Sequence, residues 1–184
     1  MDARAVVHTE LRDARAALVW KLDGLSEHDV RRPLTPTGTN LLGLVQHVAT
    51  WEARYLGEVF DRPFPEPLPR WQDADGSDLW VRAEVSRGQV VSFYRRAGEH
   101  ADATIGALPP DAHGRVPWWP RPDVTLIGVL VHVLVDTTRH AGHADVLREQ
   151  LDGRTGVGAG VWDPVDPAAR SARCSMIARA AGQP

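Results

Sequence analysis

A single cysteine, a single lysine, no surplus of basic charge and no long apolar run mark this chain of 184 residues. Cys174 alone cannot close an internal disulfide, so the fold takes no stability from cross-links and suits a reducing compartment. No run of about 18 apolar residues occurs. The opening stretch MDARAVVHTELRDARAAL carries charge at nearly every turn and lacks an apolar signal region, so the expectation is a soluble cytoplasmic protein with no membrane partner. With 21 basic against 24 acidic residues and a pI near 6.2, there is no electrostatic footprint for nucleic acid. Lys21 is the only lysine; the remaining basic charge is arginine. The length fits one domain over residues 1–184, with a core over about 2–153 and a C-terminal extension over 154–184.

What is present reads as helices. Val7, Leu11, Ala14, Leu18, Leu22 and Leu25 recur by threes and fours, which predicts an amphipathic helix from about Asp2 to Leu25, closed by Gly24 and Ser26. The linker LSEHDVRRPLTPTGTN follows, and Thr39 or Asn40 can cap a second helix from about Leu41 to Phe60. The segment DRPFPEPLPRWQDADGSD holds four prolines within seven residues and cannot continue a helix. It reads as a long crossover, with Phe64 and Trp71 as the side chains that pin it. A third helix is expected from about Leu79 to Leu108, weakened by Gly88 and Gly98. Trp118 and Trp119 then stand between prolines, suited to a wall over one end of a bundle or to a flat surface for a ligand. A fourth helix runs from near Thr125 to Gly153 and a short one from about Ala168 to Ala180. The fold class is all-α, an up-and-down type four-helix bundle with long crossover loops and a short C-terminal helix.

The fourth helix carries the anomaly. At about 100° per residue, Leu126, Val129, Val133, Ala144, Leu147 and Leu151 share one arc less than a quarter-turn wide. Asp136 and His140 lie on that same arc, one turn apart, where packing calls for Leu or Val. A buried carboxylate is costly without a partner. On the second helix, His47 sits between Leu44 and Trp51 and is placed to look into the bundle. His47, Asp136 and His140 together would supply two imidazoles and a carboxylate to a divalent ion, leaving open positions as in a catalytic site. Zinc, nickel, iron and manganese all fit these ligands, with zinc foremost. A buried ion pair between Asp136 and His140 is the plainer alternative. His132 and His143 flank the arc and read as outer neighbours, either of which could replace Asp136. His8, His28, His100 and His113 read as surface histidines, Arg148 as a surface ion-pair partner of Asp145 or Glu149, and Cys174 as an inert thiol.

The segment LLGLVQHVATWEARYLGEVF resembles the second-helix motif of the DinB-like superfamily, and LVHVLVDTTRHAGHADVLREQLDG resembles its fourth-helix motif. The likeness covers roughly residues 10 to 155, and the RHAGHADVLRE portion is similar to an actinobacterial branch near the mycothiol-dependent enzymes. It implies a DinB-like bundle with metal ligands at His47 and His140; the middle position, usually histidine or glutamate, falls on Asp136, a departure from the pattern. It further implies a divalent-metal protein acting as a thiol-dependent, mycothiol-type transferase or isomerase on a small electrophile. Its partners would be that small molecule, a low-molecular-weight thiol such as mycothiol, and a second copy in a homodimer. A non-catalytic metal-binding bundle and a metal-dependent hydrolase are the alternatives.

Overall fold

The Asp2 carboxylate accepts a hydrogen bond from the Arg4 amide and so opens helix α1, Ala3–Trp20. In the computed structural model, which describes residues 2–69, 78–158 and 166–182, five further helices follow. They are α2 (Glu27–Arg31), α3 (Leu41–Tyr55), α4 (Arg87–Ala107), α5 (Leu126–Asp152) and α6 (Pro167–Ala180). Two short strands, β1 (His113–Arg115) and β2 (Asp123–Thr125), pair antiparallel with Gly114 opposite Val124. Among the described residues no helix is long and apolar enough to cross a membrane.

The four long helices α1, α3, α4 and α5 form the all-α bundle. Arg4 at the start of α1 reaches the carbonyls of Ile105 and Leu108 at the end of α4, so those helices run antiparallel. Lys21 meets Asp145, which sets α1 parallel to α5. The His47 ring meets His140 while Tyr55, two turns on, meets His132, so α3 and α5 are antiparallel. The directions in chain order are therefore up, down, down, up. The proline-rich segment after α3 is the crossover that returns the chain to the end where α3 began. Phe64 helps to anchor it, buried against Phe93 and His100; Trp71 lies outside the described residues.

Element boundaries differ from the periodicity in four places. Helix α1 stops at Trp20, and the short α2, capped by Ser26, occupies what reads as a linker. Helix α3 ends at Tyr55, followed by a 3-10 turn over Glu58–Phe60. Val81 and Val85 extend the apolar rhythm of α4 backward and do pack on the core, but without helix. A capping box in which Ser86 and Gln89 bond to each other's backbone amides starts α4 at Arg87 instead. The β1–β2 hairpin is too short for an alternating pattern to show.

Two apolar clusters fill the bundle. One gathers Leu18, Leu22, Val45, Val48, Tyr94 and Ala144; the other gathers Leu11, Tyr55, Leu56, Ile105, Leu126 and Leu130. On α1 the buried Arg15 falls between the two sets, and on α5 Asp136 and His140 do the same. A polar layer thus crosses the bundle at mid-height. Arg15 pairs with Glu52, which is 1% exposed, and with Asp102 at 2.6 Å, which in turn bonds His8 at 2.8 Å. Burial pushes the Glu52 carboxyl up, and the Arg15 guanidinium opposes that rise. Replacing Arg15 by Met leaves Glu52 buried and uncompensated, so denaturant unfolding is expected to show a loss of about 3–5 kcal/mol. The double variant Arg15→Met, Glu52→Leu should regain most of it, and equal losses in both would contradict a buried pair.

Candidate metal centre

His47 owes its position to the first turn of α3. Asn40 caps the helix on the Gly43 amide at 2.8 Å, and its side-chain amide also donates to the Leu79 carbonyl at 3.3 Å. The Leu79 backbone lies so close to Gly43 that any Cβ there would collide with it. Gln46 then donates to the carbonyl of Trp80 at 2.9 Å. These contacts lay the chain across α3 and set the buried Asp78 beside His47.

Asp78 Oδ2 lies 2.9 Å from His47 Nδ1 and accepts from the Trp51 indole at 3.1 Å. With its proton held on Nδ1, His47 presents Nε2 as a lone-pair donor, the arrangement seen when a carboxylate orients a metal-binding histidine. Opposite, on α5, His140 Nε2 stands 3.5 Å from Asp136 Oδ1, and the two imidazole rings of His47 and His140 meet edge to face at 4.8 Å. One ligand atom from each of His47, Asp136 and His140 falls in a group spanning no more than 4.8 Å. A tetrahedral ion held at roughly 2.1 Å by each donor would set them about 3.4 Å apart, so the donors would draw in by up to about 1.5 Å on binding. The buried Nδ1 of His140 has no hydrogen-bond partner among the described residues. The donor set and its convergence from two helices fit a divalent ion.

The electrostatics favour lone pairs over protons. Burial lowers the His47 pKa below the ordinary 6.5, and the neighbouring His140 charge acts the same way, outweighing Asp78 and Asp136. Burial pushes Asp136 up, but the bond from His140 and the charges of His140, His47 and His132 hold it below the usual carboxylate value.

The other histidines stand apart from this group. His143 is exposed, its ring 5.6 Å from that of His140. His132 turns away into rings of Tyr55 and Trp119. His28 and His113 are on the surface, as read from sequence, but His8 bonds Asp102 and His100 donates to the Arg62 carbonyl at 2.7 Å. Arg148 is not a surface residue: it is fully buried, forks onto Asp152 one turn on, and donates to the Lys21 carbonyl at 2.8 Å. It lies on the core side of α5, and its long stem lets the charge reach Asp152 from there. Lys21 is buried too, held by Asp145 and the Gly156 carbonyl. Cys174 is exposed.

Residues 6–153 match the sequence profile of the family described as mycothiol-S-transferase. The chain belongs to the mycothiol-S-transferase family, of DinB-like fold. A conserved protein from Enterococcus faecalis of known crystal structure superposes with a TM-score of 0.61 at 16% identity, covering 84% of this chain and 99% of that one. At that identity the likeness speaks for the bundle alone. No curated protein matches the chain.

Two features of this mycothiol-S-transferase family member escape the periodicity. Asp78 closes a proline-rich sequence stretch with several other acids, and the one hint of it is Gly43, a glycine in a helix's first turn that signals close backbone approach. The Arg15–Glu52 pair is foreshadowed by Arg15 lying on the apolar stripe between Leu11 and Leu18.

The lowered His47 value has a sign. The unfolded chain takes up a proton near 6.5 that the folded chain resists, so the stability from neutral His47 is full above 6.5 and is lost as pH falls from 6.5 toward the folded value. Melting temperature in chelator should therefore fall as pH drops below about 7, and less steeply in His47→Asn. An unchanged slope in that variant would contradict the assignment.

Proposed function

We propose that the protein binds a divalent metal, zinc foremost, through His47, Asp136 and His140 and transfers the sulfur of a low-molecular-weight thiol of the mycothiol type to a small electrophile. One observation carries the reading: two imidazoles and a carboxylate converge from α3 and α5 in a polar layer where all three side chains are half-buried. When bound, such a metal stabilises thiolate over thiol at neutral pH. The rest is work for the chain. Asp78 keeps the His47 proton on Nδ1, so that Nε2 remains a ligand atom. Asp136 stays ionised, held so by the neighbouring imidazoles. The half-buried setting strengthens each of these interactions relative to water.

The family supports the thiol, and the single cysteine suits the reducing cytoplasm where such thiols act. Val131, Val135 and Val146 lie exposed along one side of α5, and this face supports a homodimer as the assembly.

Protein purified without a histidine tag should hold one equivalent of metal, and His140→Ala should hold none. Asp78→Asn should bind metal about 10–100-fold more weakly, as loss of an orienting partner does. Absence of stoichiometric metal in wild type, even after refolding with zinc, nickel or manganese, would defeat the proposal. Conjugation of a model electrophile should need both metal and thiol. Turnover that survives omission of the thiol would point to hydrolysis, and metal without turnover to a structural site.

A further inference from the structure

Helix α6 is folded but almost bare. Asp166 caps its Ala169 amide, and Arg170 ties it to the bundle by donating to the Gly153 carbonyl at 3.2 Å. Met176 and Ile177 are 57% and 60% exposed, and Ala169, Arg173 and Ala180 share their face at helical spacing, all exposed. A helix of 14 residues is marginal in water unless one face is buried against something. Arg173 and Arg179 stand three residues to either side of Met176 and have no ion-pair partner among the described residues; α6 itself contains no acid. The helix therefore offers an apolar patch between two free cations.

A groove of the opposite character lies between α1 and α5. It is a cavity of about 580 Å3 floored by Ala14, Ala17, Ala141 and Gly142. A Cβ at Gly142 would meet nothing within 4 Å, so a neighbouring chain can approach α5 closely there. Glu10 and Asp13 line the α1 edge, and their carboxylates have no partner among the described residues. Lys21, the cation in the lining, is already engaged by Asp145 and by the Gly156 carbonyl. The groove thus keeps a negative edge. No described residue of α6 lines it, because Arg170 holds that helix at Gly153, about two turns beyond Asp145.

We propose that α6 of one copy docks in the α1–α5 groove of a second copy, and that the exchange is reciprocal. Met176 and Ile177 lie on the alanine floor, and Arg173 and Arg179 meet Glu10 and Asp13. Charge complementarity selects this occupant, since each surface carries the unpaired charge that the other lacks. A twofold axis then satisfies both grooves with the same contacts and leaves no α6 over to recruit a third chain. Gly142 lies on one stripe of α5 with Val135 and Val146, so the groove runs into the valine face. The proposal rests on the reading of the protein as a homodimer and specifies what holds it; it does not depend on the metal centre.

The test is sedimentation equilibrium of the full-length protein. Wild type should form a dimer of the 20.2 kDa chain, weakened at least about tenfold between roughly 50 mM and roughly 500 mM salt. Arg173→Glu with Arg179→Glu, and separately Glu10→Arg with Asp13→Arg, should each weaken it at least about tenfold, and all four together should restore it. These four side chains are exposed, so the fold itself should be untouched. Thr138→Cys then places a thiol at the groove for a short bis-maleimide to join to Cys174, and in mixed light and isotope-labelled protein the link should span two chains. A monomer at every concentration, or a link formed within one chain, would overturn the proposal. So would a dimer that ignores both charge reversals but is broken by Val135→Glu, which would leave the homodimer reading standing on the valine face alone.

Discussion

The structure turns on the expense of keeping charge inside a helical bundle. Between two apolar clusters lies a layer of ionisable side chains, and each bundle helix contributes to it: Arg15 from α1, Glu52 and His47 from α3, Asp102 from α4, Asp136 and His140 from α5. Water is excluded from Arg15 and Glu52 and only partly reaches the other members, so each gains from a partner. On one side opposite charges are paired, Arg15 joining Glu52 and Asp102 across three helices. On the other side two imidazoles face each other with Asp136 beside them, and buried atoms without a partner occur in both halves, His140 Nδ1 here and Arg15 Nε and Glu52 Oε2 there. The half with the facing imidazoles holds the three candidate metal ligands.

That division gives the two halves different duties. The Arg15 side fixes how α1, α3 and α4 meet, since a fork of charged hydrogen bonds tolerates little sliding. With α3 held, the His47 ring keeps its height opposite His140. Asp78 adds a constraint from outside the helices, reaching His47 and Trp51 with one carboxylate oxygen. The imidazole orientation and the neighbouring indole wall are thereby linked through a single atom.

The helices were largely legible in the sequence because burial on one side imposes a 3.6-residue rhythm, and Asp136, His140 and His47 stood out by breaking it. Boundaries were less legible, since they depend on local caps: Ser86 and Gln89 stop the backward extension that Val81 and Val85 invite. Asp78 was hidden because it lies in no periodic element and is placed by backbone contacts to Asn40 and Gly43. Arg148 misled for a different reason. Its spacing from Asp145 and Glu149 fits a surface pair, yet its stem lies on the core side of α5 and its partner is Asp152.

The one lysine gives the molecule an internal reporter. Lys21 is 1% exposed, and its amine is engaged by Asp145 and by the Gly156 carbonyl just beyond α5. Acylating reagents that label amines require a free, solvated lone pair, and here the only lysine side chain withholds it. Uptake of such a label at Lys21 therefore registers the parting of the chain after α5 from the bundle, a motion read by mass spectrometry without any engineered probe.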